Sequence, residues 1–237
     1  MKKLSIVYIL LVSLIIMAGC SGSNSNSSSD SKGGKGGGSG GGQPYLDLSS
    51  YAKVALTEDQ KYSLAYMWHE EKLAKDIYLE LNKIHPARQL ENIAIKSEVV
   101  HIQLVQNLVE WYDINITNLA NYEVNYSLEA LNAMPVGKFA VPQIQDLYNM
   151  LFEIGRESTR SSLEVGCMVE VVDINDLDHF LSTSTGNQAL IDTFNILRDG
   201  SFAHYWAFDD GLKSMGITEG CCSLGVDYCH PEYPKRK

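Results

Sequence analysis

The amino-acid sequence predicts an all-α fold, a bundle of four helices with a long crossover between helices two and three. Four long segments carry apolar residues at spacings of three and four, the period of an amphipathic helix, and no convincing strand alternation occurs. Between Asp113 and Pro142 the helical pattern fails. A long connection in that place lets helices two and three run parallel in the bundle.

The first predicted helix runs from Thr57 to Ile84, a segment without Gly or Pro that opens on a capping-box pattern. The second runs from about Gln89 to Tyr112. In the connection we expect a short helix near residues 127–134 and a further helical piece over residues 143–153. Helix three is predicted from about Ser158 to Leu181. Asn187 can cap the last helix, in which Gly200 would cause a kink or permit close packing.

The N-terminus resembles a bacterial lipoprotein signal. Lys2 and Lys3 precede an apolar run that ends at Met17, and the sequence Met-Ala-Gly-Cys at residues 17–20 resembles a lipobox, in which Cys20 would be lipid-modified. An ordinary cleaved signal or an uncleaved anchor is the alternative. We therefore predict a signal peptide (1–20), a Gly/Ser-rich flexible tether (21–50), the bundle (51–210) and a Cys-containing tail (211–237), on a protein exported and anchored to the cell envelope membrane.

The charge of the chain bears on its binding partners, and its cysteines bear on disulfide formation. The net charge of −10 is spread along the chain and argues against nucleic acid, which requires a clustered basic surface. Export into an oxidising compartment predicts two disulfides among the four cysteines after Cys20, with the connectivity left open. They are Cys167, Cys221, Cys222 and Cys229. The alternative is a small metal site formed by the last three with His230.

Polar groups interrupt the apolar stripe of every long helix near its middle. The six that can bind a metal are Glu71, Glu98, His101, Glu170, Asp173 and His204. Buried charges need partners or a cation, and four carboxylates with two imidazoles are the ligand inventory of di-iron and di-manganese bundle sites. We expect two iron ions, with manganese as the alternative. A solvated Glu-x-x-His face or a hydrogen-bonded core histidine would explain individual members of the set, and Glu70 competes with Glu71 for the inward register.

Four stretches of the folded part are characteristic when taken together: LAYMWHEEKLAKDIY (64–78), NIAIKSEVVH (92–101), LEVGCMVEVVDINDL (163–177) and GSFAHYWAF (200–208). On these stretches, residues 57–208 resemble the ferritin-like domain of unknown function 2202, which implies a ferritin-like four-helix bundle. The run Glu71-x-x-Ala74-Lys75-x-x-Tyr78 also resembles helix one of rubrerythrins, where the corresponding Glu is an iron ligand, and this favours Glu71 over Glu70. In the last helix Ser201 stands where ferritins have a Glu, so Asp173 is expected to supply the missing carboxylate.

Two functions agree with these features. The first is an oxidoreductase that oxidises ferrous ions or reduces peroxide, with Tyr78 and Glu70 near the ligands. The second is a non-catalytic metal-binding or structural module of the cell envelope that uses the same bundle. The expected partners are metal ions and, through the N-terminal lipid, the membrane; the sequence is also compatible with a homodimer.

Overall fold

The computed structural model describes residues 46–117 and 126–235, and within these ranges every regular element is a helix. The predicted signal peptide, Cys20 and most of the tether lie outside the described residues, as do residues 118–125 of the crossover. The helices, in chain order, are α1 (Glu58–Ile84), α2 (three consecutive segments, Arg88–Asn92, Ile93–Glu98 and Val99–Tyr112), α3 (Leu128–Asn132), α4 (Pro142–Gly155), α5 (Thr159–Thr183) and α6 (Gln188–Ser214).

Local sequence signals account for most helix ends. Thr57 and Gln60 form the predicted capping box at the start of α1. Asn187 caps α6 by accepting a hydrogen bond from the Leu190 amide. Pro142, expected to belong to the connection, is instead the first residue of α4, a position where its missing N–H is not needed.

Two predicted boundaries differ from the structure. The predicted bundle ends at residue 210, but α6 continues through Gly200 to Ser214, and its last turn contains buried Leu212. The predicted tether ends at residue 50, but a short 3-10 helix (Leu48–Ser50) already lies within it, capped by Asp47. The cap at Asp47 stabilises this turn locally, although the tether as a whole has few apolar residues.

The four long helices α1, α2, α5 and α6 form the bundle, which confirms the predicted all-α architecture. Helix α1 packs against α2 and α5, and α6 packs against α5 and α2. The crossover helix α4 lies on α1 and α5. Aromatic side chains fill much of the interior, including Trp68, Tyr78, Phe194 and Phe208. Within the described ranges, none of the helices combines the length and the hydropathy needed to cross a membrane.

A buried ion pair fastens the crossover to α1. Lys72 Nζ lies 2.5 Å from Asp76 Oδ2, and the same carboxylate oxygen accepts a hydrogen bond from the Gly137 amide at 3.0 Å. Lys72 also donates to the Lys138 carbonyl and lies over the Phe139 ring. Because each charge has several partners, the pair is compatible with burial and fixes where the crossover meets the bundle.

Two disulfides fasten the C-terminal tail. Cys167 on α5 pairs with Cys221, and Cys222 pairs with Cys229. All four predicted cysteines are therefore paired, and the connectivity that the sequence left open is settled by proximity. The alternative metal site in the tail has no support, because its three cysteines supply no thiolate.

Candidate metal centre

The six predicted metal-binding residues converge in the middle of the bundle. Glu71 comes from α1, Glu98 and His101 from α2, Glu170 and Asp173 from α5, and His204 from α6. Each side chain is buried, with a residue exposure of at most 6%. The structure thus brings together the groups that the sequence placed on four separate apolar stripes.

Glu98 lies between the two imidazoles. His101 Nδ1 is 3.1 Å from Glu98 Oε2 and 3.1 Å from Glu71 Oε2. His204 Nδ1 is 3.1 Å from Glu98 Oε1 and 3.3 Å from Glu170 Oε2. The two rings are 5.3 Å apart between centroids and inclined by 29°. Each imidazole therefore faces Glu98 and one further carboxylate, an arrangement with two similar halves.

A π-helical segment, Ile93–Glu98, ends at the central carboxylate. Such segments widen a helix by one residue per turn and are frequent at functional sites. The sequence pattern does not reveal this segment, because the apolar period does not distinguish one wide turn from a regular helix. Its consequence is a local change of register in α2 just before Glu98 and His101.

Gly200 lets α6 approach His101. A Cβ atom at this position would lie 2.4 Å from His101 Nε2 and 2.6 Å from Cε1. Since α6 is continuous through this residue, close packing is the outcome of the two that the sequence left open. The absence of a side chain at residue 200 therefore determines where the His101 ring can lie.

Hydroxyl groups orient the outer atoms of the cluster. The Tyr78 hydroxyl donates to Glu170 Oε1 at 2.6 Å, and Ser201 donates to Asp173 Oδ2. Ser97 Oγ lies 2.6 Å from His204 Nε2. A hydrogen bond at Nε2 leaves Nδ1 facing the carboxylates, the arrangement typical of metal-binding histidines. Ser201, which stands where ferritins have a Glu, thus contacts Asp173, the carboxylate expected to replace that Glu.

Burial and mutual repulsion shift the pKa values of the acidic groups. Burial, Asp173 and Glu98 raise the pKa of Glu71, and burial together with Glu170 raises the pKa of Asp173 to about 8. Burial alone would also raise the pKa of Glu98, but His204 and His101 hold it below its usual range. Burial opposes protonation of His204, yet Glu170 and Glu98 raise its pKa to about 10. The carboxylates therefore attract positive charge into the bundle.

The donor set of these residues suits a metal ion. Glu71 Oε1 and Asp173 Oδ1 are buried and have no hydrogen-bond partner among the described residues, so each has a lone pair to offer. Ligand atoms of Glu98, His101 and His204 lie within 4.8 Å of one another, close enough to surround one ion. Carboxylate oxygens with imidazole nitrogens suit iron or manganese. The ligand set as a whole stays a prediction.

A further buried carboxylate, Asp176, was missed by the sequence analysis. It lies on α5 one turn after Asp173, is 1% exposed, and interacts with the Tyr66 hydroxyl. Burial raises its pKa to about 7. Burial and Asp176 also raise the pKa of Glu70, so these two carboxylates influence each other. The spacing of three residues from Asp173 was the available signal.

Comparisons with known proteins agree with this architecture. A family model described as "Uncharacterized protein domain (DUF2202)" matches residues 60–224. The uncharacterized protein MJ0754 of Methanocaldococcus jannaschii is 32% identical over 169 residues, which cover 71% of this chain and 83% of that protein. The crystal structure of hypothetical protein MJ0754 superimposes with a TM-score of 0.60 at 33% identity, over 70% of this chain and 87% of that one. The chain therefore belongs to the DUF2202 family.

Proposed function

We propose that the protein is a ferritin-like di-metal oxidoreductase, with two iron ions as the preferred metal and ferrous oxidation or peroxide reduction as the reaction class. The observation that supports this most directly is the buried arrangement of Glu71, Glu98 and Glu170 around the Nδ1 atoms of His101 and His204. Buried carboxylates at this density are unfavourable unless positive charge accompanies them.

The contacts divide the ligands into two sets. His101 faces Glu71, His204 faces Glu170, and Glu98 faces both imidazoles, so these five residues would hold the metal. Asp173 has a free oxygen for the second carboxylate position that Ser201 leaves open. Bound iron would supply one-electron redox chemistry toward dioxygen or peroxide.

The chain's own groups exclude water and hold protons around these ligands. The site lies among core side chains such as Phe208, whose ring is 5.1 Å from that of Tyr78. The Tyr78 hydroxyl keeps its proton on the hydrogen bond to Glu170, because burial and this carboxylate raise the pKa of Tyr78 well above 10.0. Tyr78 is thus a hydrogen-bond donor directly beside a candidate ligand.

The proposal places the reaction outside the cytoplasm, at the membrane that holds the lipid on Cys20. The charged, apolar and small-residue segments of residues 1–20 support export. Paired cysteines in the folded part support an oxidising compartment. A low-complexity tether would separate the lipid from the bundle.

A non-catalytic module is the second candidate. One observation favours it: protonated His101 and His204 can neutralise the central carboxylates without a metal, since Glu98 already lies 3.1 Å from both. In that case the cluster would be a polar network that specifies the packing of the bundle, and the protein would act through its partners.

Metal analysis is the first step in distinguishing the two candidates, and the activity assays below complete it. Residues 43–237 would be purified without chelators, loaded anaerobically with ferrous ions, and measured for metal per chain by mass spectrometry. We expect two ions per chain, lost in the Glu98→Ala/His101→Ala variant. A matched control, Glu110→Ala/His179→Ala, removes the same residue types from exposed positions and should bind as the original protein does.

Peroxide and ferrous-oxidation assays would follow on the loaded protein. A chain that stays folded and takes up no metal would refute the oxidoreductase and leave the polar network. Two ions bound without turnover of ferrous ions or peroxide would favour the non-catalytic metal-binding module.

A further inference from the structure

Two tyrosine rings connect the interior of the bundle with its surface. Tyr62 and Tyr66 lie one turn apart on α1, and their rings stack with centroids 5.9 Å apart and planes inclined by 22°. Tyr66 is 1% exposed, whereas Tyr62 is partly exposed to solvent. Phe180 on α5 packs steeply against both rings, at 6.3 Å from Tyr62 and 5.8 Å from Tyr66. The pair therefore leads from a buried position to solvent through one ring contact.

The inner ring lies close to the candidate metal centre. Tyr66 precedes the candidate ligand Glu71 by five residues on α1, an axial rise of about 7.5 Å. Tyr66 and Glu70 line the same small cavity beside α4, and Glu70 is the direct neighbour of Glu71. Electron tunnelling falls off steeply with distance, so an oxidant in the centre would have Tyr66 as a nearby aromatic donor on the way to Tyr62.

A carboxyl group beside Tyr66 can take its proton. The Tyr66 hydroxyl interacts with Asp176 on α5, which is 1% exposed. Burial, Asp176 and Glu70 raise the pKa of Tyr66 well above 10.0, so the phenol is protonated at rest. A phenol that loses an electron becomes a strong acid, and a base that already contacts the hydroxyl can accept the proton directly. This arrangement favours a neutral tyrosyl radical over a buried radical cation.

We propose that Tyr62 and Tyr66 conduct single electrons between the surface and the interior of the bundle. In the inner step, Tyr66 gives one electron to an oxidant in the centre and its phenolic proton to Asp176, which leaves a neutral tyrosyl radical. In the outer step, Tyr62 gives one electron to that radical, Tyr66 recovers its proton from Asp176, and Tyr62 releases its own phenolic proton to solvent. A ferrous ion at the surface then reduces the Tyr62 radical, which takes up a proton from solvent, and the ion becomes ferric.

Tyr78, which contacts a candidate ligand, is not placed for this role. Its hydroxyl donates to Glu170, and its buried ring packs against Phe208, which is much harder to oxidise than a phenol. The inference deepens the proposed function, because it names ferrous ions at the surface as the source of electrons. The origin of the oxidising equivalent rests on that function, whereas electron exchange between the two tyrosines can be measured without metal.

The first test is flash oxidation of the full chain in its metal-free form. A photogenerated ruthenium(III) complex in solution removes one electron from exposed groups, and EPR spectroscopy detects the tyrosyl radical. We expect a radical that ascorbate in solution quenches slowly, because it comes to rest on buried Tyr66. Tyr66→Phe should abolish this slowly quenched radical, and Tyr62→Phe should prevent its formation. Both substitutions keep the ring and therefore the stacking.

Two further variants separate the chemistry from packing. Asp176→Asn keeps the size of the side chain but removes the base, so the yield of slowly quenched radical should fall, and an unchanged yield would refute Asp176 as the proton acceptor. Tyr148→Phe is the matched control. It removes the hydroxyl of another buried tyrosine, which stacks on Phe152 at 6.1 Å, and should leave the radical unchanged.

The second test uses the metal-loaded chain. Ferrous ions are added beyond those already bound, and their oxidation is followed by stopped-flow absorbance. Tyr62→Phe and Tyr66→Phe should both slow this oxidation without changing the metal content, whereas Tyr148→Phe should oxidise the added ions at the original rate.

Three results would overturn the proposal: a slowly quenched radical that persists in Tyr66→Phe, one that forms equally well in Tyr62→Phe, or oxidation of added ferrous ions at the original rate in either variant. A chain that takes up no metal refutes the proposed function alone, since the metal-free measurement still decides whether the two tyrosines exchange electrons. A chain that takes up metal but shows no dependence on Tyr62 and Tyr66 refutes the tyrosine route alone.

Discussion

Replacing Gly200 by alanine tests how the bundle positions His101. The added Cβ would lie 2.4 Å from Nε2, about 1 Å short of the 3.4 Å at which ordinary contact begins. Either the imidazole or the backbone of α6 must move by that amount. Since Nδ1 on the same ring faces Glu71 and Glu98, moving the ring displaces a predicted ligand atom.

Two opposing effects determine the stability of Gly200→Ala. Alanine in a helix interior is favoured over glycine by about 1 kcal/mol. Overpacking a core position costs about 1–3 kcal/mol. We therefore expect a net loss of about 0–2 kcal/mol in the free energy of unfolding, small enough for the metal-free protein to stay folded.

The effect on metal binding should be larger. Displacing a supporting contact of a metal-binding histidine lowers affinity by about 10–100-fold, and here the ring itself is displaced. Competition against a chelating dye measures the affinity, and thermal unfolding of the metal-free protein measures stability. Asp199→Ala, an exposed position beside residue 200 on α6, also introduces alanine into the helix without the contact, and should keep the original affinity. An unchanged metal affinity in Gly200→Ala would refute the position assigned to His101.

Three further predictions follow from individual contacts. Ser97→Ala removes the hydrogen bond to His204 Nε2 and should weaken metal binding by about 10–100-fold, measured by competition against the same chelating dye. An unchanged affinity would show that Ser97 does not orient the ring. The Cys167–Cys221 disulfide closes a loop of 54 residues, and replacing both cysteines by serine should lower the free energy of unfolding by about 4 kcal/mol. Loss of the second disulfide, which closes a shorter loop, should cost less. Equal losses in denaturant titrations would contradict the loop-length argument. In the metal-free protein, the pKa values of Asp173 (about 8) and His204 (about 10) are raised, so the folded state binds protons more tightly than the unfolded state does. The resulting stability is full below the unfolded-state pKa of each group and is lost as pH rises, so Tm should fall between pH 6.5 and 8, by about 2–4 °C for each kcal/mol. A Tm that rises over this range would contradict the argument.

The helices and their ends follow from local chemistry. The apolar period of three and four residues decides which segments are helical, and Thr57 and Asn187 cap their helices through contacts only three residues long. The six candidate ligands were also accessible from the sequence, because a polar group within an apolar stripe is recognised from its own helix. Their role as metal ligands is the part that metal titration tests.

Only the tertiary structure decided how these groups meet. That Glu98 lies between both imidazoles, and that Ser201 contacts Asp173, depends on how far each helix slides and rotates against its neighbours. The pairing of Cys167 with Cys221 also depends on helix packing, because the spacing of two cysteines 54 residues apart does not show that they are close in space.

The π-helical segment that ends at Glu98 also depends on packing between helices and not on its own residues alone. The backbone hydrogen bonds of a wide turn have poorer geometry, and packing elsewhere in the fold must offset this loss of stability. The residues of the turn therefore do not predict it. The sequence by itself therefore determined the helices and the chemical groups that they carry into the core. The contacts among those groups were decided by the packing of whole helices, because the position of each helix depends on many distant residues at once.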